Sequence, residues 1–341
     1  MTPVSPSGGV HQRVRSAQRP EASTVIVPQA AATHGPRESR PSARARLNAS
    51  KATRKRWLLA YALVTPVLVW RLATAVYPFF ETVRLSFRDN SPIRRTDDFV
   101  GLANYRMMLD DPDVHAAISF TIFFTVVSVS LQVVLGLGLA ELLNREFRFR
   151  GLARAINLLP WAMSGIVVAT AAKWIFDQNY GLVNDLIWRV SGERPLWLTN
   201  VLLARLAVVF TDVWKNTAFM AIIFLGGLQG IPRELHDAAT IDGASRFRAY
   251  WSITFPLMLP LIASLALFAA IYRILSFEVV YALTSGGPGT ATALLSYLVY
   301  LKAFRGVDFG YASALAIGLF LIVLVVGLIG FAIVRRAWSR I

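Results

Sequence analysis

The chain has 341 residues, 55% of them hydrophobic and only 16% charged, with a formal net charge of +15 and a mean hydropathy of +0.51. A soluble domain carries about 25% charged residues, and here the apolar residues gather in runs longer than the roughly 20 that cross a bilayer, so the composition excludes a soluble chain and predicts a polytopic membrane protein. Cysteine is absent, which excludes disulfides, thiolate metal sites and cysteine nucleophiles. The basic excess collects in the N-terminal tail and beside the apolar runs, which suits an anionic inner leaflet rather than nucleic acid.

Residues 1–56 are rich in Pro, Ser, Ala and Arg, hold eleven Lys or Arg and show no sustained periodicity, so a disordered tail is expected there. It reads either as a polybasic cytoplasmic segment touching anionic lipid or as an extension without a role. The first span is expected over 57–80. Its N-terminus is placed in the cytoplasm by the basic run Lys51 to Arg56. Ala73-Thr74-Ala75 also fits a signal-peptidase site, so a cleaved signal peptide is the rival for this segment. Arg71 can snorkel to the interface from near the outer end of the span.

A polar loop, 81–115, follows and contains Gly101-Leu102-Ala103-Asn104-Tyr105. The second span is expected over 116–143 with Gln132 at its middle, and the short loop 144–154, with Arg145, Arg148, Arg150 and Arg154, is placed inside. The third span, 155–176, opens with Leu158-Leu159-Pro160-Trp161, and 177–201 is an outer loop with few basic residues. The fourth span, 202–228, holds Asp212, Lys215 and Asn216, which are too costly to face lipid. The fifth span is expected over 257–283 and the sixth over 311–334, ending in Arg335 and Arg336. The short loops obey the positive-inside rule. The first outer loop breaks it with Arg84, Arg88, Arg94, Arg95 and Arg106, but seven acids share that loop and the rule weakens with length. Six spans with both termini cytoplasmic fit best.

Between the fourth and fifth spans lies a polar segment, 229–256, with its own helical pattern. Pro232 suits a helix start. Leu235, Ala238, Ala239 and Ile241 fall roughly on one side, with Glu234, His236 and Asp237 around them. Asp242-Gly243 ends that helix, because glycine tolerates the left-handed conformation. A second helical stretch from Ala244 leads to Pro256. Taken singly, these residues also read as helix punctuation, with Glu234 and Asp237 favouring the positive end of a helix dipole and Gly243 an ordinary cap. Together, Asp237-Ala238-Ala239, Gly243, Ile253 and Pro256 hold the spacing of the cytoplasmic "EAA" loop, and the segment resembles that loop of binding-protein-dependent ABC importer permeases. Asp237 stands where that pattern has glutamate, and Phe255 where it has leucine. The landmarks GLANY, LLPW, LTSGGPG and GYASAL are similar to those of the carbohydrate-type permeases, in the same order, so the resemblance covers about residues 57–341.

The resemblance implies an all-α membrane protein with six transmembrane helices, the type I ABC importer permease fold with a cytoplasmic coupling helix, in a bacterial inner membrane. The GGP stretch resembles the first of two non-identical permeases. The implied partners are a second permease, an ATPase dimer that carries ATP and Mg, an extracytoplasmic solute-binding protein, membrane lipid and a di- or oligosaccharide. Trehalose or maltose is suggested only by association, from the Ala-, Arg- and Val-rich composition of a GC-rich genome. The residues implied in ATPase coupling are Glu234, Leu235, Asp237, Ala238, Ala239, Asp242, Gly243 and Ala244. In physical terms the two alanines allow close approach to a docking groove and Leu235 and Ile241 supply apolar area. The acids pair with basic groups to set register, and Gly243 makes the turn.

No phosphate-binding loop, dinucleotide fingerprint, H-E-x-x-H or G-x-S-x-G is present, and His11, His34, His115 and His236 are scattered, so no enzyme chemistry or metal site is expected in the chain. Candidates for a solute path are the polar and aromatic groups inside the spans: Gln132, Asn216, Thr217, Tyr272, Arg273, Ser276, Phe277, Glu278 and Tyr281. Arg273, Phe277 and Tyr281 share one face of a continuous helix. Arg273 and Glu278 lie about 140° apart around it and each needs its own partner. Aromatic stacking with polar side chains suits a sugar, while an interhelical packing face is the alternative for any one of these residues. A self-sufficient secondary transporter or channel is the rival function. It would need coupling-ion sites in broken helices and leaves the polar 229–256 segment without a purpose.

Overall fold

The computed structural model describes residues 43–339. Two units are distinguished, Met1–Val67 and Leu68–Ile341. What is described of the first is helix, the part of α1 (Ala43–Arg71) that reaches Val67. The tail expected to be disordered over 1–56 lies outside the described residues as far as 42. From Ala43 onward it is helical instead, as a run of Ala, Arg, Lys and Leu favours.

In the second unit a π-helical turn, Leu72–Val76, leads into α2 (Tyr77–Ser86). The stretch expected as a polar loop is built rather than irregular. It holds an antiparallel hairpin, β1 (Arg88–Ser91) with β2 (Thr96–Phe99), and α3 (Ala103–Asp110). The long helix α4 (Pro112–Asn144) follows, then α5 (Arg150–Ala162), α6 (Gly165–Ile175), α7 (Leu182–Ser191) and α8 (Val201–Gln229). Next come α9 (Arg233–Ile241) and α10 (Arg246–Ala249), which runs through a π turn, Tyr250–Thr254, into α11 (Phe255–Ile274). The chain ends with α12 (Glu278–Leu283), α13 (Leu295–Tyr300) and α14 (Phe309–Trp338). Among the described residues five helical stretches are long and apolar enough to cross a membrane, six if the bent pair α5–α6 counts as one span.

Two expected spans are corrected. The third is not one helix: α5 and α6 meet at 90°. Met163 and Ser164 are extended between them, and α6 restarts at Gly165. The fifth ends at Ile274 rather than Leu283, because Leu275–Phe277 leave the helix before α12 begins. Ser296 Oγ donates to the carbonyl of Ser276, satisfying a group that the broken helix leaves open.

The centre of the bundle is α4 against α8. Lipid tails are as apolar as leucine, so close packing rather than water expulsion holds these helices together. Small residues make that approach possible: Ala140 on α4 and Ala204, Ala207 and Ala221 on α8 are fully buried. A β-carbon on Gly136 would come within 3.1 Å of Met220 Cβ. Phe120, Phe124 and Phe224 fill the remaining space.

The GLANY stretch anchors the hairpin at one end of this bundle. Asn104 Nδ2 donates to the carbonyls of Ser86 (3.0 Å) and Arg88 (2.8 Å), and the Tyr105 hydroxyl lies 2.6 Å from Ser86 Oγ. Arg94 pairs with Asp308 at 3.0 Å, and Ser91 Oγ donates to the Val307 carbonyl at 2.9 Å. Beside it Asp111 accepts from Tyr311 Oη at 2.8 Å and from the Asp113 backbone at 2.9 Å. Burial alone would raise the Asp111 carboxyl, but these hydrogen bonds and the Lys302 ammonium at 3.5 Å outweigh it and hold the group below the usual carboxylate range.

Candidate functional site

The polar residues of α8 project on one face, since Asp212, Lys215 and Asn216 are at i, i+3 and i+4. Asp212 is 5% exposed and meets Arg273 of α11 at 2.9 Å, Oδ2 to Nε. The charges touch, but the Nε–H is not aligned on the carboxylate and forms no hydrogen bond. Gln132 of α4 donates from Nε2 to the same Oδ2 at 2.7 Å, and Asn216 Nδ2 donates to Oδ1 at 3.0 Å. One carboxylate thus ties three spans together. Gln132 Oε1 remains buried and without a partner, an acceptor whose desolvation is not repaid within the chain.

Above this knot are two adjoining cavities of about 380 and 520 Å³. Both are lined by Gly165, Lys215, Asn216, Tyr272, Arg273 and Glu278. The smaller adds Gln132 and the rings of Trp161, Phe219 and Phe268; the larger adds Ser276 and Phe277. Trp161 stacks on Phe219 at 4.9 Å and 14°, and Phe268 lies 5.4 Å from Tyr272. Lys215 Nζ donates to the Trp161 carbonyl at 3.3 Å. Among the described residues neither Lys215 nor Glu278 makes a salt bridge. The cleft therefore offers ring faces, an unpaired cation and an unpaired carboxylate to whatever enters.

Seven of the nine path candidates line this cleft: Gln132, Asn216, Tyr272, Arg273, Ser276, Phe277 and Glu278. Two do not. Thr217 donates its hydroxyl to the Val213 carbonyl and faces a separate, almost wholly apolar hollow. Tyr281 packs on Phe277 at 5.1 Å and on Tyr300 at 5.6 Å and lines neither cavity. The shared face expected for Arg273, Phe277 and Tyr281 is also absent, because the helix stops between the first and the second. Arg273 and Glu278 do not pair with each other, and Asp212 is the partner of Arg273. The sequence sets Asp212 and Lys215 apart from lipid without assigning them to the path. The i, i+3, i+4 spacing with Asn216 was the signal available. Trp161 stands in the LLPW landmark, but nothing in the sequence turns it or Gly165 toward the cleft.

The segment after α8 is a two-helix hook. α9 ends in paired reverse bonds, Ala244 N to Ala239 O at 2.9 Å and Gly243 N to Thr240 O at 3.1 Å, with Gly243 at φ +73°. This is a Schellman termination, which requires a left-handed residue at that position. Ser245 then caps α10, accepting from the Arg248 backbone. Glu234, Asp237, Ala238, Asp242 and Gly243 are exposed, and so are the apolar Leu235 (41%), Ile241 (87%) and Phe247 (75%). Ala244 is half-buried. Ala239 departs from expectation: it is buried against the chain's own helices, so it seats the hook instead of facing outward.

A family model described as binding-protein-dependent transport system inner membrane component matches residues 132–340. The trehalose/maltose transport system permease protein MalF of Thermococcus litoralis is 38% identical over 267 residues, covering 78% of this chain and 90% of that protein. The sulfoquinovosyl glycerol transport system permease protein SmoG of Agrobacterium fabrum is 35% identical over 279 residues, covering 82% and 91%. A solved bacterial alginate ABC transporter, in complex with an alginate pentasaccharide-bound periplasmic protein, has a chain that superposes with a TM-score of 0.74 at 23% identity, covering 84% of this chain and 96% of that one.

Proposed function

The chain belongs to the family of binding-protein-dependent transport system inner membrane components, and from that premise we propose that it is the first of two non-identical permeases in an ATP-driven importer of a di- or oligosaccharide. The observation that carries the sugar reading is the cleft between α8, α11 and the α5–α6 bend. Ring faces line it beside the unpaired Lys215 and Glu278 and the buried acceptor of Gln132. Saccharides present apolar faces to rings and hydroxyls to such polar groups. Relatives named for trehalose/maltose and for sulfoquinovosyl glycerol support a carbohydrate and leave its identity open between them. Trehalose or maltose is the first choice.

The 229–256 hook is the coupling element in this reading, and its end of the bundle is cytoplasmic, as are both termini. Its exposed Leu235, Ile241 and Phe247 supply apolar area to a docking groove on a separate ATPase, which binds ATP and Mg. Glu234 and Asp237 meet basic groups there and set register. A motion of the ATPase delivered at α9 passes through α10–α11 to Arg273, and from there to Asp212 and α8. The opposite end, with the hairpin and α3, faces an extracytoplasmic solute-binding protein.

The test is co-expression of the chain with the permease, ATPase and binding protein encoded beside it, followed by reconstitution into liposomes. Uptake of labelled trehalose or maltose that requires ATP and the binding protein is the expected outcome. Uptake by this chain alone, without ATP, overturns it.

A further inference from the structure

At the hook end of the bundle a further cavity, of about 340 Å³, lies where α4 ends, α5 begins, α8 ends and α9 begins. Its lining is basic: Arg150, Arg154, Arg233 and His236, with Gln229, against the single carboxylate of Glu146. Among the described residues none of the three guanidiniums is in a salt bridge. Arg154 gives one Nη2 bond to the Leu143 carbonyl at 3.0 Å, and its Nε is buried with no partner.

The placement runs against helix electrostatics. Arg150 is the first residue of α5 and Arg233 the first of α9, the positive ends of two helix dipoles. Neither start has a side-chain cap; α5 has no acid in its first turn, and the one in α9, Glu234, does not line the cavity. The turn that delivers Arg150 holds Phe149 at φ +70°, an uncommon conformation for an aromatic residue. Cationic side chains gathered on positive helix ends repel one another unless an anion lies between them. A phosphoryl group is that anion. Its oxygens accept paired N–H bonds from guanidinium forks and from free backbone N–H groups at helix starts.

We propose that this cavity binds a phosphate-bearing anion, carried by an acidic lipid headgroup or free in solution. The bound anion would bridge α5, whose bend walls the cleft, to α9, the hook. It would thereby fix how the hook sits on the bundle. Its binding is independent of which solute the cleft carries.

The test uses the full chain in nanodiscs of phosphatidylcholine alone or with phosphatidylglycerol, and reads the thermal unfolding midpoint. In phosphatidylcholine, inorganic phosphate should raise the wild-type midpoint in a saturable way. The variant R150Q/R233Q should need roughly tenfold more phosphate or greater, since each lost hydrogen bond to a charged group is worth about that factor. Both side chains are exposed and outside any salt bridge, so folding should survive. If the lipid headgroup is the source, phosphatidylglycerol raises the wild-type midpoint, removes the response to phosphate, and leaves the variant unmoved. R145Q/R148Q, which removes arginines of the same loop outside the cavity, should respond like wild type. A wild-type midpoint indifferent to both phosphate and phosphatidylglycerol overturns the site. So does a response that R150Q/R233Q keeps, or one that R145Q/R148Q loses equally.

Discussion

Asp212 and Arg273 meet at 2.9 Å on the facing sides of α8 and α11, both almost fully buried. Removing one member of such a pair strands the other charge away from water, at a cost of about 3–5 kcal/mol, whereas removing both can be nearly neutral. Asp212→Asn and Arg273→Gln should each lower the unfolding temperature of the detergent-purified protein sharply. The double variant should recover much of the loss. A double variant whose loss equals the sum of the two singles would mean that the residues are adjacent without being coupled.

Gly165 faces the Glu278 side chain where α6 lies against α12. A β-carbon there would overlap the Glu278 carboxylate. Gly165→Ala should turn the exposed Glu278 side chain out of its place with little change in the unfolding temperature, and reduce uptake in the reconstituted importer. Adding Glu278→Ala should relieve the overlap but not restore the uptake, because the carboxylate offered to the cleft is gone. Recovery of uptake in the double variant would remove Glu278 from the solute path.

These two pairs mark the limit of what the sequence conveyed. The number of spans, the hook and the glycine that ends α9 follow from local pattern: apolar run length, basic flanks, and a helix stop at Asp242-Gly243. Gln132, Asn216 and Arg273 could be singled out because polar groups are costly in lipid. Which of them meet is a matter of long-range pairing, and no local rule links Asp212 to a partner on α11. The 90° bend after Ala162 carries no strong breaker beyond Gly165, and Pro160 lies inside α5 without ending it. The end of α11 at Ile274 has no glycine or proline to announce it either, so periodicity ran on through Phe277 to Tyr281 and put them on a face that does not exist.

The cleft assignment separates Thr217 from Tyr272. Thr217 has its hydroxyl satisfied by the Val213 carbonyl and faces apolar surroundings, so Thr217→Val should leave uptake close to wild type. Tyr272→Ala removes an exposed ring from the cleft wall and should raise the KM for solute several-fold, about 0.5–1.5 kcal/mol of aromatic contact. Phe277→Ala should behave like Tyr272→Ala, with the protein still intact on gel filtration. Equal effects of the Thr217 and Tyr272 variants would favour packing over solute contact at Tyr272.

At the hairpin end, Asp111 is held below the usual carboxylate range. A group with a lowered folded-state pKa stabilises above its ordinary value of 3.8, and that contribution disappears as pH falls through the lower, folded value. Wild-type protein should therefore lose stability on acidification below about pH 4. Asp111→Asn should be less stable at neutral pH, with a shallower acid loss. Parallel acid profiles for the two proteins, followed by intrinsic fluorescence, would show that Asp111 does not carry this dependence.

The hook offers the sharpest test of coupling. Gly243 sits at φ +73°, and a β-carbon there would meet nothing within 4 Å. Any defect on substitution therefore comes from backbone conformation rather than from crowding. Gly243→Val should strain the Schellman turn by about 1–3 kcal/mol and tilt α9 against α10. Gly243→Asn, which tolerates the left-handed region, should be milder. Asp237→Lys leaves the fold alone, since Asp237 is exposed, but sets a cation against the basic groups expected on the ATPase, a juxtaposition that costs several kcal/mol at an interface. Both Gly243→Val and Asp237→Lys should give inserted, full-length protein that either fails to retain the ATPase or retains it without solute-stimulated hydrolysis. Hydrolysis by the isolated ATPase is measured alongside and should be unchanged. The order Val worse than Asn at position 243 distinguishes a conformational requirement from a loss of contact area. If all three variants copurify with the ATPase and transport at the wild-type rate, Gly243 and Asp237 only terminate a helix, and the coupling element lies elsewhere in the chain.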